Sequence, residues 1–195
     1  MAPARLARRK KGARRLGYTI AFVDETGHTF RARVGTTWAP CGQPPVLRRI
    51  TKRREVSSLV AVTAPLDGAP PRLYARHVLG TVRAPELIAG LRYFRARLGR
   101  PLVIVWDHLS THRSRPVREF LARHARDYRV EWLPGYAPEL NPEEPCNHCV
   151  KLAMVNLVPH SDAELRAAAR VNFQRLGRKP QLLRHFFDYA HLDVT

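Results

Sequence analysis

The chain has 195 residues, with 34 Lys and Arg against 16 Asp and Glu, a formal net charge of +18 at pH 7. An apolar content of 45% excludes wholesale disorder. No apolar stretch is long enough for a membrane span, and the basic N-terminus lacks the apolar segment of a secretory signal. Three Cys, an odd number, make no disulfide framework and fit a reducing compartment, so a cytoplasmic location and no membrane partner are expected. So large a positive surplus predicts a polyanionic partner, with nucleic acid ahead of an anionic membrane surface.

Residues 1–16 read as a disordered basic arm carrying Arg8, Arg9, Lys10, Lys11, Arg14 and Arg15. The run from Tyr18 to Val23 reads as a buried strand that stops at the turn signal Asp24-Glu25-Thr26-Gly27. His28 to Val34 alternates, which predicts a second strand paired with the first as a hairpin. Residues 35–54, rich in Gly, Pro and Arg, predict a long loop. Its second basic cluster, Arg48, Arg49, Lys52, Arg53 and Arg54, is suited to phosphate contacts that position DNA without reading its sequence. Ser57 to Thr63 and Arg72 to Leu79 follow as strands joined through Asp67-Gly68.

Beyond residue 80 the hydrophobic period changes. Ala84-Pro85-Glu86 opens a helix bearing Leu87, Leu91, Phe94 and Leu98 at helical spacing. Leu102 to Trp106 is an apolar run expected in the interior of a parallel sheet. A helix over 114–125, a strand over 128–133, a helix from Asn141 to about Leu157, a capping box Ser161-x-x-Glu164 and a helical segment over 180–192 complete the order. Antiparallel strands followed by βαβ crossovers predict an α/β chain, a mixed sheet flanked by helices. The expected organisation is an arm over 1–16, a main domain over 17–158, and C-terminal helices over 159–195 packed on or trailing it.

Few acids punctuate so basic a chain, and three stand where ligand sites form. Asp24 and Asp107 each follow an apolar strand, and Glu144 sits in the first turn of a helix. Sites in open α/β sheets lie outside the carboxyl ends of strands. Converging carboxylates repel one another, and Mg²⁺ resolves the conflict by binding one or two carboxylates together with substrate phosphates. Two such ions clamp the attacking and leaving oxygens of a phosphoryl displacement. Each acid also has a local reading, Asp24 in an Asx-turn, Asp107 and Glu144 as helix caps. Pattern alone does not say whether Asp24 or Glu25, and Glu143 or Glu144, points inward. Cys146, Cys149, His148, His160 and the distant Cys41 hint at zinc, but helix-face thiols fit the spacing better. Trp38 and Trp106 are expected to pack beneath the site.

The strings Val23-Asp24-Glu25-Thr26-Gly27, Thr37-Trp38-Ala39-Pro40-Cys41-Gly42-Gln43, Trp106-Asp107-His108 with His112, and Leu133-Pro134-Gly135-Tyr136-Ala137-Pro138-Glu139-Leu140-Asn141-Pro142-Glu143-Glu144 occur in this order. Together they resemble the DDE transposases of the mariner superfamily, in its bacterial insertion-sequence branch, over about residues 17–158. The resemblance implies an RNase H-like fold and places Asp24, Asp107 and Glu144 at the catalytic positions, with Glu143 at a position usually apolar. It further implies two Mg²⁺ ions, with Mn²⁺ as a substitute, cleavage of transposon ends and strand transfer into target DNA. His112 is expected to contact phosphate or a neighbouring carboxylate. A homodimer on DNA and a nucleoid-associated bacterial location are implied as well. The family usually carries a helix-turn-helix region before the first strand, where this sequence has the basic arm, so a separate helix-turn-helix polypeptide is an expected partner. The alternatives are an inactive, basic DNA-binding remnant of a truncated transposase and a general RNase H-like nuclease, the latter disfavoured by the Asn-Pro-x-Glu string.

Overall fold

A computed structural model describes residues 13, 16–31, 34–48, 55–64, 69–135, 137–190 and 192. Five strands, β1 (Thr19–Thr29), β2 (Glu55–Thr63), β3 (Leu73–Leu79), β4 (Leu102–Trp106) and β5 (Tyr128–Trp132), form one sheet in the order β3-β2-β1-β4-β5. β1 and β2, and β2 and β3, pair antiparallel, whereas β4 runs parallel to both β1 and β5. Five helices flank it: α1 (Ala84–Leu98), α2 (Arg115–Arg123), α3 (Glu143–Ala153), α4 (Asp162–Gly177) and α5 (Pro180–Tyr189). This is the RNase H-like arrangement expected.

Side chains alternate across the sheet, so β1 serves two cores. Ile20 and Phe22 face α3, α4 and α5, meeting Val150, Leu165, Phe173 and Phe187 in one cluster. Ala21 and Val23 face α1 and α2 in a second cluster with Leu91, Phe94, Val117 and Phe120. Helix α1 lies so close to the sheet that a Cβ built on Gly90 would stand 2.0 Å from Leu59 Cδ2. A helix-weakening glycine is kept where any side chain would collide with the strand. Helices α4 and α5 bury Leu165, Ala169, Phe173, Leu183 and Phe187 in the first cluster, so both belong to the same packed body as the sheet.

Two local expectations fail. The hairpin expected at Asp24–Gly27 does not form, and His28 and Thr29 continue β1 rather than opening a second strand. β1 runs unbroken through the Asp-Glu-Thr-Gly stretch, with Asp24 opposite Val60, Glu25 opposite Leu59, Thr26 opposite Ser58 and Gly27 opposite Ser57. The long antiparallel ladder with β2 satisfies the backbone there, and Thr26 and His28 are buried on one face while Gly27 and Thr29 are exposed. Pairing with a distant strand overrides the local turn preference. The helix expected from Asn141 to Leu157 is shorter, and a 3-10 turn at Pro138–Leu140 precedes it. Beyond it Asn156 adopts a left-handed backbone at φ 61° and grips Gly35. Its Oδ1 accepts from the Gly35 N–H at 2.9 Å and its Nδ2 donates to the Gly35 carbonyl at 3.1 Å.

The α4 cap forms in altered shape. Ser161 Oγ accepts from the Glu164 N–H at 3.2 Å, but the Glu164 carboxylate reaches back to the N–H of His160 at 2.8 Å rather than to that of Ser161. Among the described residues no helix is long and apolar enough to cross a membrane.

Candidate active site

Asp24 lies within β1, Asp107 directly after β4, and Glu144 in the first turn of α3. The neighbouring parallel strands β1 and β4 and the start of α3 bring the three acids to one open cleft of about 420 Å³. Leu133, Pro134, Gly135, Ala137, Pro138 and Asn141 form much of its rim, so the Leu-Pro-Gly and Pro-Glu-Leu-Asn-Pro strings serve as its wall. In a chain of net charge +18, no Lys or Arg is among the described residues lining this cleft.

The electrostatics reflect that imbalance. Burial, reinforced by the charges of Glu25 and Glu144, pushes the Asp24 carboxyl up to about 7, although the Glu25 N–H donates to Asp24 Oδ1 at 2.7 Å. Asn141 steers the other oxygen, its Nδ2 donating to Asp24 Oδ2 at 3.2 Å. The same side chain accepts from the Glu143 N–H at 3.2 Å through Oδ1, so one buried amide ties the start of α3 to β1.

The two neighbouring acids at the start of α3 are separated by the fold. Glu144 is exposed and lines the cleft, whereas Glu143 is wholly buried. Burial and the nearby Asp24 charge raise the Glu143 carboxyl well above its usual range, which favours its protonated form. Asn147 Nδ2, one turn along α3, donates to Glu143 Oε2 at 2.5 Å.

His112 organises the opposite side. Its Nδ1 lies 2.8 Å from Asp107 Oδ1, and its Nε2 lies 3.0 Å from Glu25 Oε1. Burial opposes protonation, but the hydrogen bonds to Asp107 and Glu25, with the charges of both, outweigh it and hold the imidazole at about 9. At neutral pH it is an imidazolium donating to both carboxylates. The His112 hydrogen bond in turn draws the Asp107 carboxyl below its ordinary value, helped by the Leu109 N–H at 3.0 Å. Glu25 therefore points not into the cleft but toward His112, a role that its position in sequence does not reveal.

Trp106 is fully buried and lies under His112, whereas Trp38, expected beneath the site, is wholly exposed in the irregular stretch after β1. His108 lines the cleft and stacks on Trp132 with ring centroids 5.3 Å apart. His108 and Asn141 are the cleft residues that sequence reasoning did not single out. The adjacency of His108 to Asp107, and of Asn141 to the Pro that opens α3, was the available signal. Of the basic residues expected to hold DNA, Arg48 is exposed in the irregular segment. Arg8, Arg9, Lys10, Lys11, Arg14, Arg15, Arg49, Lys52, Arg53 and Arg54 lie outside the described residues. Among the described residues no three His, Cys, Asp or Glu side chains form a ready-made metal cluster, at the cleft or around Cys146 and Cys149. Cys146 is buried, its thiol pushed far up by that burial, while Cys41 is exposed.

A family model described as DDE superfamily endonuclease matches residues 19–166, most of the chain and all three acids. The chain belongs to the DDE superfamily of endonucleases. This DDE-family chain also matches solved structures at the level of fold. A pre-cleavage Mos1 transpososome matches at TM-score 0.61 and 17% identity, covering 96% of this chain and 60% of that one. The Mos1 catalytic domain in complex with raltegravir and Mn matches at 0.51 and 14%, covering 93% and 88%. An intasome of simian T-cell lymphotropic virus matches at 0.52 and 18%, covering 78% and 47%. This chain thus spans about 60% of the length of the Mos1 chain of the transpososome. No curated protein matches significantly.

Proposed function

We propose that this chain is the catalytic part of a DNA transposase, of the mariner superfamily's bacterial insertion-sequence branch, which cuts and rejoins DNA phosphodiesters with the help of divalent cations. The observation that carries this reading is the cleft. Asp24, Asp107 and Glu144 share it with no described Lys or Arg to neutralise them, and burial, with the charges of Glu25 and Glu144, holds Asp24 near 7. Oxygen donors without a resident cation suit Mg²⁺, which keeps several waters and takes the rest of its ligands from one or two carboxylates and a phosphate. The open, incomplete ligand set fits an ion that substrate helps to hold. Mos1 paired-end complexes matching this fold were determined with Mn and with Mg, and with transposon ends, which supports the same reading.

In this reading Asp24 and Asp107 hold one ion, and Glu144 helps hold the second. When bound, the ions lower the pKa of the attacking water and stabilise charge developing on the phosphate. The chain's own residues set the geometry. Asn141 orients the Asp24 carboxylate, His112 fixes that of Asp107, and Glu144 remains exposed at the cleft mouth where DNA arrives. The basic residues of the arm and of the 48–54 stretch contribute phosphate contacts. Action as a dimer on DNA, a separate helix-turn-helix partner and residence at the bacterial nucleoid belong to the same proposal.

The decisive experiment is nicking of a labelled duplex by the purified protein in Mg²⁺, Mn²⁺ or EDTA, with Asp107→Ala alongside. Metal-dependent nicking lost in the variant is expected. Salt-sensitive binding with no nicking under any metal would favour an inactive remnant.

A further inference from the structure

A second cleft, of about 500 Å³, opens at the other side of the sheet along the free edge of β3. Its walls come from opposite faces: Tyr93 and Arg97 from α1, Arg170 from α4, and Arg178 just past the α4 end, with Tyr74 and His77 of β3 between them. Among the described residues its lining contains no acid. Arg97, Arg170 and Arg178 are exposed, and none meets a described carboxylate within ion-pair distance. Nearby Arg95, by contrast, is engaged by Asp127 at 3.0 Å. The fields of Arg166 and Arg170, added to burial, hold His77 down at about 4, so the cleft is positive without a further charge from the histidine.

Three guanidiniums with no described carboxylate partner, around two half-buried tyrosines, match the pattern of single-strand nucleic-acid binding, in which a positive groove tracks the backbone and aromatic faces stack bases. Arg170 and Arg178 stand two helical turns apart, about 12 Å of axial rise, which suits two phosphates spaced along one strand better than one small anion. Planar guanidinium forks favour phosphate oxygens. The cleft volume is on the order of one or two nucleotides, so a single strand with splayed bases fits and a duplex does not.

We propose that the β3-edge cleft binds single-stranded nucleic acid, with Arg97, Arg170 and Arg178 on phosphates and Tyr74 and Tyr93 stacking bases. The proposed transposition chemistry supplies only the choice of DNA as ligand. The cleft itself involves none of the three carboxylates and lies two strands away from β1.

The test is fluorescence anisotropy of a labelled oligothymidylate with the full chain in EDTA, across a salt series. Arg97→Gln, Arg170→Gln and Arg178→Gln combined should weaken binding at least tenfold and reduce the salt slope by about 2, the value for three phosphate contacts on a single strand. Arg118→Gln, Arg123→Gln and Arg126→Gln remove equal charge elsewhere on the surface and should change affinity less than threefold. Tyr93→Ala should weaken the single strand more than a duplex. Equal losses in the two triple variants would overturn the proposal, as would an acidic polypeptide occupying the cleft without displacing the oligonucleotide. Asp107→Ala separates the two readings, since it should abolish nicking while leaving oligothymidylate affinity intact. Loss of binding in the cleft variant of a protein that nicks nothing would leave this site standing and remove the catalytic one.

Discussion

The imidazole of His112 lies flat on the indole of Trp106, with ring centroids 4.2 Å apart and planes within 5° of parallel. From that platform it holds Asp107 with one nitrogen and Glu25 with the other. Trp106 is the last residue of β4 and Asp107 the next, so the stack fixes the imidazolium against the same strand end that presents the carboxylate. An ion pair held this way has little freedom to reorient, which is what a carboxylate needs if it is to meet a cation at fixed geometry.

Replacing His112 by Ala leaves Asp107 and Glu25 facing a cavity without a counter-charge. Stability is expected to fall by about 3 kcal/mol, the range for breaking a buried pair from one side. Nicking should fall at least tenfold, with a raised Mg²⁺ requirement. His112→Gln, which keeps a donor but no charge, should recover part of the activity. Urea unfolding and a Mg²⁺ titration of nicking check both, and an unchanged Mg²⁺ requirement would assign His112 a purely structural role.

The neighbours Glu143 and Glu144 should separate cleanly. Glu144→Gln removes an exposed carboxylate from the cleft and is expected to abolish nicking with stability changed by less than about 0.5 kcal/mol. Glu143→Gln replaces a buried acid, whose protonated form burial favours, by a neutral amide of the same shape and should leave stability within about 1 kcal/mol. Activity should persist in Glu143→Gln. Thermal unfolding beside the nicking assay reads both, and the reverse pattern would reassign the third acid.

Gly90→Ala tests the contact between α1 and the sheet. Alanine improves helix propensity by about 1 kcal/mol, but its methyl would overlap the Leu59 side chain. A net loss of about 1–3 kcal/mol is expected from overpacking. Gly90→Ala combined with Leu59→Ala should recover much of it, which a double-mutant cycle measures.

His28 and His77 both share Ser58 Oγ at 2.8 Å and pack against Phe173. Burial, followed by their mutual repulsion and Lys151 for His28 and by Arg166 and Arg170 for His77, lowers each to about 4. The unfolded chain therefore binds more protons than the native one between about pH 4 and 6.5, and stability rises with pH across that window. The contribution is complete above about 6.5 and is lost as pH falls through 4. Thermal unfolding from pH 7 to pH 4 should show a fall in Tm that His28→Asn reduces; an equal fall in that variant would show that the histidines are not its source.

Much of the site was legible along the chain because its signals are local. The apolar runs that lead into Asp24 and Asp107 mark two strands, the second ending just before its acid, and the Leu-Asn-Pro-x-Glu string marks the start of α3, all without reference to anything distant. The failures came where a remote segment decided the outcome. Asp-Glu-Thr-Gly carries turn chemistry, yet β2 pairs straight across it. Trp38 is a large apolar side chain beside a motif, yet no described element covers it, and it stands fully exposed.

The sequence by itself set the expectation of a polyanionic partner, through its charge, and determined the α/β order, through hydrophobic periods that each segment carries within itself. It also singled out a few acids as the candidate site. Only the tertiary structure decided that Glu143 is buried while Glu144 faces the cleft, and that Glu25 serves His112 while Asp24 serves the cleft. It also decided that three arginines from two faces of the sheet meet at the edge of β3. The physical reason is common to all of these. Burial and charge fields are sums over atoms far apart in the chain, and two adjacent carboxylates differ in them only once strands and helices have packed.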